Sequence, residues 1–312
     1  MSHLRVPLAA GVALLASAGL LHPQAAVTDQ WLRRPVDDRT YATFLDFFAY
    51  DTSRAFDTQR ADSADLEGVS QVRLSFASTA GVRVTALLYR PAGSSGRAPA
   101  VILLHGGTAP GKESGGIVRA ASVMARSGLT VLAIDLPHFG ERRSGVLTTF
   151  TNPEKGERLY NQPPVYLAWV TQVVKDIGRS YDWLVAEGGA DPRRIALVGF
   201  SRGGVLAFIA GGADRRLAAV ASIYGGHFDA VETGHLAAAC PANYIGRIAP
   251  RPLLMVNGTN DQDFFRESAV EPLWRHARQP RRIIWAETGH QFPLPEHLAM
   301  LVEWVREQLR QS

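Results

Sequence analysis

Ser201 lies in the pattern Gly-x-Ser-x-Gly, which residues 199–203 form. An apolar run at 195–198 precedes the pattern and a small-residue stretch at 205–211 follows it, which predicts a strand, a tight turn and a helix in direct succession. Glycines in such a turn let the strand and the helix cross closely, and the helix then points its free N–H groups toward the serine hydroxyl. The pattern therefore predicts that Ser201 is a nucleophile.

A serine hydroxyl is a weak nucleophile until a base removes its proton. Only His276, His290 and His297 come late enough in the chain to follow the candidate acid described next. His276 and His297 lie within helical patterns, whereas His290 follows the strand-like stretch 282–287 and should lie on a loop. We therefore predict that His290 is the base.

The acid that orients the base is expected after another apolar strand, predicted at 252–256. The carboxyl ends of parallel strands share one edge of a sheet, so Asp261, shortly after that strand, should lie near Ser201. Asp263 and Asp229 are the alternatives, and Asp263 also suits the cap of a helix starting at residue 264. Asp261 is the predicted acid.

An oxyanion hole is predicted after the apolar strand 100–104, where His105-Gly106-Gly107 follows. The backbone N–H groups of Gly107 and Arg202 are the expected donors to a developing alkoxide. Gly106 is expected to contact the substrate. A plain glycine turn after a buried strand is the alternative interpretation.

Ser201, Asp261 and His290 occur along the chain in the order nucleophile, acid, base. This order predicts acyl transfer through a covalent intermediate, in which His290 accepts the serine proton and Asp261 holds the imidazole in the required tautomer. Water activated by the same histidine would then release the acyl group.

Strand-like and helix-like stretches alternate along most of the chain, which predicts a mostly parallel sheet with right-handed crossovers and helices on its faces. Stretches 69–78 and 82–90 alternate apolar and polar residues around a short turn, and they predict an antiparallel hairpin at the N-terminal edge of the sheet. The remaining predicted strands are 130–134 and 220–224, and the predicted helices are 40–48, 116–126, 165–186 and 298–309.

Two further features could contact the substrate. The stretch 137–164 is longer than most connections, so it is predicted to form a lid or pocket wall, with Phe139 as a candidate contact, or else an inert excursion. The Arg202 side chain could bind a substrate carboxylate or a sugar oxygen, or form a structural ion pair with Asp135 or Glu141.

The chain has 312 residues, of which 46% are hydrophobic and 20% charged, and its net charge of +4 is scattered rather than clustered. This excludes an obvious nucleic-acid surface. Residues 1–26 hold one arginine before an apolar run too short to span a membrane, which predicts a signal peptide and export to the periplasm or medium. An uncleaved anchor is the alternative. Residues 27–312 are predicted to form one domain.

Cys240 is the single cysteine of the chain, so it cannot form an intramolecular disulfide. It follows an apolar run and is predicted to be a buried structural thiol. The sequence shows no cysteine cluster with zinc-ligand spacing, and we predict no metal site.

The elbow at 199–203, the segments 69–107, 133–142 and 250–261, and Gly289-His290 together resemble the α/β-hydrolase superfamily over about residues 65–310. Within it they are similar to dienelactone hydrolases, acetyl xylan esterases and prolyl-oligopeptidase-like catalytic domains. The resemblance implies an α/β-hydrolase fold and a carboxylic-ester hydrolase, acetyl or short-chain, without metal or organic cofactor. Dienelactone hydrolases carry cysteine where this chain has Ser201. A peptidase or amidase, or a non-catalytic binding protein on the same fold, is the alternative.

Overall fold

The computed structural model describes residues 29–93, 96–228, 232–292 and 294–310. The predicted signal peptide at 1–26 and the alternative acid Asp229 therefore lie outside the described residues. Among the helices of the described ranges, none is both long enough and apolar enough to cross a membrane.

The described residues form one nine-stranded sheet in the order β1-β2-β3-β5-β4-β6-β7-β8-β9. The strands are β1 Gln59–Asp65, β2 Val69–Ala77, β3 Arg83–Pro91, β4 Ala98–Leu104, β5 Thr130–Ile134, β6 Ala190–Phe200, β7 Ala219–Ile223, β8 Leu253–Gly258 and β9 Arg281–Ala286. β1, β2 and β3 pair antiparallel, as do β3 and β5, and every other neighbouring pair is parallel. The predicted α/β-hydrolase architecture is confirmed.

The predicted antiparallel hairpin of β2 and β3 is present at the N-terminal edge of the sheet, and one further strand, β1, lies outside it. β1 pairs with β2 on the outer side, while β3 pairs inward with β5. All seven residues of β1 are exposed, so its sequence carries no apolar alternation. The edge strand is therefore one that the pattern of hydrophobic residues could not indicate.

The helices of the described residues cover both faces of the sheet. They are α1 Gln30–Arg33, α2 Asp38–Phe48, α3 Gly115–Arg126, α4 Asn152–Lys155, α5 Pro163–Ala186, α6 Arg202–Ala213, α7 Glu271–Trp274 and α8 Pro295–Arg310. α2, α5 and α6 pack on one face, and α3 and α8 pack on the other. β5 and β7 are buried along their whole length because helices cover both of their faces.

The connection at 137–164 is ordered by its own hydrogen bonds. The Glu154 carboxylate accepts bonds from the backbone N–H groups and hydroxyls of Thr148 and Thr149, and from the N–H of Phe150. These bonds, led by the Thr148 hydroxyl, lower the pKa of Glu154 to about 2. They fix the start of α4 and so the position of Lys155 at its end.

Candidate active site

Ser201 occupies a strained turn between β6 and α6. Its φ of 53° and ψ of −119° are a conformation that side-chain-bearing residues rarely adopt. A Cβ on Gly199 would lie 2.0 Å from the carbonyl oxygen of Gly203, and one on Gly203 would lie 2.6 Å from that of His105. The glycines of the motif are therefore required by the close crossing of strand, turn and helix, which lifts the serine above the sheet.

The structure brings Ser201, His290 and Asp261 together in one hydrogen-bonded line. The His290 Nε2 atom lies 2.9 Å from the Ser201 Oγ atom, and its Nδ1 atom lies 2.9 Å from Asp261 Oδ2. The two contacts use different ring nitrogens. A proton on Nδ1 donated to the carboxylate leaves the Nε2 lone pair free to accept the serine proton.

Asp261 is held on its far side by the backbone. Its Oδ1 atom accepts from the N–H groups of Asp263 and Phe264, at 2.9 Å each. The Asp261 side chain is fully buried, whereas that of His290 is 22% exposed. Backbone donors satisfy the carboxylate oxygen that does not face the imidazole, so the acid is fixed in orientation while the base remains accessible.

Asp263 also lies beside His290, but it faces the other ring nitrogen. Its Oδ2 atom is 3.5 Å from His290 Nε2, the nitrogen that faces the serine, and its side chain is 39% exposed. The helix that we expected from residue 264 begins two residues later: a π-helical turn at Arg266–Val270 runs directly into α7, and its N-cap is Phe265. Asp263 therefore caps no helix there, and it does not occupy the position that orients the imidazole.

The loop after β4 brings Gly106 and Gly107 beside the serine. A Cβ on Gly106 would lie 3.0 Å from the Ser201 Cβ atom. A Cβ on Gly107 would lie 3.1 Å from the Tyr160 hydroxyl and 3.2 Å from Lys155 Nζ. Both glycines line the pocket over Ser201, and so does the next residue, Thr108.

His105 and Lys155 hold this loop in place. The His105 Nε2 atom accepts from the N–H of Leu136 at 3.0 Å, so its Nδ1–H donates to the Gly106 carbonyl at 2.6 Å. Burial lowers the pKa of His105, which keeps the ring neutral and this tautomer available. From the other side, Lys155 Nζ donates to the Gly107 carbonyl at 3.0 Å. The sequence offered no signal for Lys155 beyond its place in the stretch 137–164.

The pocket above Ser201 has a volume of about 370 Å³. Its walls combine apolar side chains with a few polar ones; the apolar walls are Ile117, Phe200, Tyr224 and Phe292. The rings of Phe200 and Phe292 stack with their centroids 4.9 Å apart. The volume is near the lower end of the range for small-molecule sites.

Phe139, a predicted substrate contact, does not reach this pocket. It is fully buried, and its ring packs against those of His105, Phe150 and Trp169 at centroid distances of 5.5, 5.7 and 6.5 Å. Phe139 therefore supports His105 from below. The stretch 137–164 supplies Lys155 to the pocket wall instead.

The Arg202 side chain points away from the pocket into the protein. Its guanidinium pairs with Glu232 at 2.7 Å, donates to the Tyr166 hydroxyl at 3.2 Å and lies 3.8 Å over the ring of Tyr160. Burial alone would raise the pKa of Glu232, but Arg202 and His235 hold it at about 2. The side chain that follows the serine is thus a structural anchor of the turn.

The expected partners of Arg202 were wrong. Asp135 and Glu141 both accept from Lys112 Nζ, at 2.6 Å each, in a separate network at the end of β5. Glu232, the actual partner, lies 30 positions along the chain, in a loop that carries no strand or helix pattern.

A model of the alpha/beta hydrolase family matches residues 101–307. No curated protein sequence matches the chain. Among solved structures, acetyl xylan esterase 1 of a Thermoanaerobacterium species superposes with a TM-score of 0.66 at 18% identity, covering 88% of this chain and 94% of that one.

Two further structures are similar to the same extent. The acetyl xylan esterase of Paenibacillus sp. R4 has a TM-score of 0.65 at 17% identity, covering 89% of this chain and 98% of the other. A cold-adapted esterase from an Arctic intertidal metagenomic library has a TM-score of 0.63 at 18% identity, covering 82% and 99%. At these identities the likeness concerns the fold.

Proposed function

The chain belongs to the alpha/beta hydrolase family, and we propose that it is a serine hydrolase that cleaves carboxylic esters with small acyl groups. The observation that carries the proposal is the line of two 2.9 Å contacts from Ser201 through His290 to Asp261 at the floor of a pocket. The strained backbone of Ser201 is a second support, since such strain concentrates at functional sites.

In the proposed acylation step, the Ser201 Oγ atom attacks the ester carbonyl carbon while His290 Nε2 takes the hydroxyl proton. The imidazolium that forms is stabilised by Asp261, which keeps its negative charge. The carbonyl oxygen becomes an oxyanion and accepts from the backbone N–H groups of Arg202 and Gly107. Arg202 suits this role because its N–H belongs to the first residue of α6, where the helix dipole favours negative charge.

The tetrahedral intermediate then collapses, and the alcohol leaves with the proton that His290 returns to it. The acyl group remains bonded to Ser201 Oγ. A water molecule at the same face transfers a proton to His290 and attacks the acyl carbon, which releases the acid and restores the serine. His290 can serve both halves because its side chain is partly exposed to the pocket.

The pocket favours a small acyl group. Its volume of about 370 Å³ must hold the reacting ester, and Lys155 at one wall limits the space above Gly107. Two of the similar structures are acetyl xylan esterases, a name that fits acetyl transfer from a sugar hydroxyl to water. We therefore propose acetyl and other short-chain esters as the substrate class.

Export is part of the proposal. Residues 1–26 have the basic start, apolar middle and small-residue end of a signal peptide. An enzyme released outside the cytoplasm would meet acetylated or esterified material directly. N-terminal sequencing of the protein recovered from culture medium or periplasm would test this; an N-terminus still at Met1 would contradict removal of the segment.

The esterase proposal is tested with 4-nitrophenyl acetate, butyrate and octanoate, together with the matched acetyl anilide. We expect kcat/KM to fall from acetate to octanoate and the anilide to react far more slowly. Ser201→Ala should lower kcat by about 10⁶-fold, by analogy with loss of a triad serine. Ser127→Ala, at the end of α3 and remote from the pocket, is the matched serine control. No turnover of any ester by the wild type would contradict the proposal, whereas equal rates on ester and anilide would favour an amidase.

A further inference from the structure

A second group of reactive side chains lies away from the pocket, and we call it the inner cluster: Asp29, His227 and Cys240. Asp29 Oδ2 lies 2.9 Å from His227 Nε2 and 3.5 Å from Cys240 Sγ, and the sulfur lies 3.9 Å from the same nitrogen. His227 and Cys240 are fully buried, and Asp29 is 9% exposed. A carboxylate, an imidazole and a thiol, each a possible metal ligand, thus meet in the protein interior.

These separations are close to the edges of a metal coordination sphere. Tetrahedral Zn²⁺, at its usual bond lengths to sulfur, nitrogen and oxygen, would hold such atoms about 3.3–3.6 Å apart. The 3.5 Å edge lies within that range, the 2.9 Å edge is shorter and the 3.9 Å edge is longer. An ion could therefore be accommodated by shifts of a few tenths of an ångström. A thiolate, an imidazole and a carboxylate are also the ligand set that Zn²⁺ accepts in proteins.

We propose that Asp29, His227 and Cys240 form a structural Zn²⁺ site that ties the N-terminal segment to the loop after β7. The three protein ligands leave a fourth position, which a buried water or a backbone carbonyl would fill. Binding exchanges the Cys240 thiol proton for the metal, so the thiolate becomes a ligand.

The position of the cluster gives the site a structural purpose. Asp29 is the N-cap of α1, and it is separated by 198 positions from His227 and by 211 from Cys240. Cross-links between such distant positions constrain the unfolded chain most strongly. Segments near the ends of a domain are often poorly ordered unless something ties them down, and a metal here would tie α1 to the loop after β7.

The loop that the ion would hold begins at the active site. Tyr224, three residues before His227, lines the pocket, and its ring lies 5.9 Å from that of His290. The N–H of His227 donates to the carbonyl of Ala269 at 3.0 Å, which fixes the loop on its other side. The site would therefore steady one wall of the pocket without taking part in the reaction.

Hydrogen bonds alone are the competing explanation of the inner cluster. Asp29 could accept from both the imidazole and the thiol, and this would satisfy the carboxylate without an ion. From the sequence we predicted no metal, because the chain has no cysteine cluster with zinc-ligand spacing. Asp29 lies far along the chain from His227 and Cys240, so no motif joins the three residues. The two explanations differ in metal content, which can be measured directly.

The test begins with the full-length protein prepared without chelators. We expect about one Zn²⁺ per chain by elemental analysis after dialysis, and a lower Tm after treatment with a strong chelator. Replacement by Co²⁺ should give a sulfur-to-cobalt charge-transfer band in the near ultraviolet, which only a thiolate ligand can produce. Fewer than one tenth of an ion per chain, even after incubation with Zn²⁺, would overturn the proposal.

Cys240→Ser and Asp29→Asn sharpen the test. Each should weaken Zn²⁺ binding by more than about tenfold, because losing even a residue that only hydrogen-bonds to a metal ligand typically costs at least that much affinity. Cys240→Ser should also abolish the cobalt band. Asp29→Asn keeps the side-chain oxygen that accepts from the N–H of Trp31 and so spares the helix cap. Unchanged Zn²⁺ affinity and an unchanged band in Cys240→Ser would contradict the site.

His276→Gln is the matched control for both variants. His276 Nε2 holds the same N-terminal segment through the Leu32 carbonyl at 2.6 Å, but it is no part of the inner cluster. This variant should lose stability and keep its zinc. Equal loss of zinc in all three variants would show that the metal follows the fold of the segment and not the cluster, and would overturn the assignment of ligands.

Discussion

Among the residues that the structure describes, an aspartate, a histidine and a hydroxyl or thiol meet in two groups, and the two groups are arranged differently. In the group at the pocket, His290 contacts Asp261 through Nδ1 and Ser201 through Nε2. In the inner cluster, His227 faces both Asp29 and Cys240 through the single atom Nε2. One ring nitrogen cannot donate to the acid and accept from the thiol at the same time.

Access separates the two groups as well. The His290 side chain is 22% exposed and opens onto a pocket of about 370 Å³, whereas the His227 side chain is fully buried. Similar residue types therefore support different chemistry. In His290 the two ring nitrogens have different partners beside a pocket, which suits proton transfer. In His227 a single buried nitrogen faces both a carboxylate oxygen and a sulfur, which suits a metal ion.

The largest effect expected within this comparison comes from the acid at the pocket. Asp261→Asn should lower kcat by about 10⁴-fold, because the amide can donate to Nδ1 and hold the imidazole in the wrong tautomer. Asp263→Asn is the matched variant: its exposed carboxylate contributes about 1 kcal/mol or less, so the loss should stay below about sixfold. Steady-state kinetics on 4-nitrophenyl acetate measure both. A reversed order of the two losses would assign the acid to Asp263.

A second difference is that the proposed mechanism needs backbone donors to an oxyanion beside the pocket group, whereas the inner cluster needs none. Gly107→Pro, which removes one N–H, should lower kcat by about 10²–10³-fold. Gly107→Ala keeps the N–H. Its Cβ would meet the same neighbours as the Cβ of proline, namely the Tyr160 hydroxyl and Lys155 Nζ. It should lose much less activity. Equal losses in the two variants would indicate that crowding, and not the missing donor, is responsible.

The smallest expected effect concerns the ion pair that anchors the turn behind the pocket. Glu232→Gln should lower the free energy of unfolding at neutral pH by up to about 3 kcal/mol, since the glutamine oxygen can still accept from Arg202. The folded pKa of Glu232, about 2, lies below its ordinary value of 4.5. The carboxylate therefore stabilises the fold above about pH 4.5, and this contribution is lost as the pH falls toward 2.

Urea titrations of wild type and Glu232→Gln between pH 7 and pH 2.5 measure this prediction. The difference in unfolding free energy should be largest at neutral pH and shrink on acidification. Tyr166→Phe, which removes a neutral partner of Arg202, is the control, and its difference should not depend on pH in this range. A constant difference for Glu232→Gln would show that the pair does not stabilise the fold through its charge.

The sequence predicted most of the fold because its central strands are largely apolar, most of its longer helices have one apolar face, and α6 is made, after Arg202, of small and apolar residues that are almost all buried. β5 begins and ends at the predicted residues, and α5 starts two residues before its predicted start. β1 escaped prediction because every one of its residues is exposed and polar or small. Its position depends on backbone pairing with β2, which no side-chain pattern records.

The candidate site could be predicted where each residue follows a recognisable strand. Ser201, Asp261 and His290 do so, and the structure brings them together; their catalytic roles stay predictions. Phe139 and Glu232 lie in irregular connections, and Lys155 ends the short helix α4 inside one. In such connections sequence spacing does not fix which side chain faces the pocket. The inner cluster was missed for a similar reason, since its members come from three segments.

The proposed mechanism depends on a covalent intermediate at Ser201. The most direct measurement is acid quenching within the first turnover of a slowly hydrolysed ester, followed by peptide mass analysis. The expected result is a single acyl addition on the peptide containing Ser201, present in the wild type and absent from Ser201→Ala. An acyl group on another residue, or multiple turnovers with no acylated peptide at any quench time, would contradict the proposed mechanism.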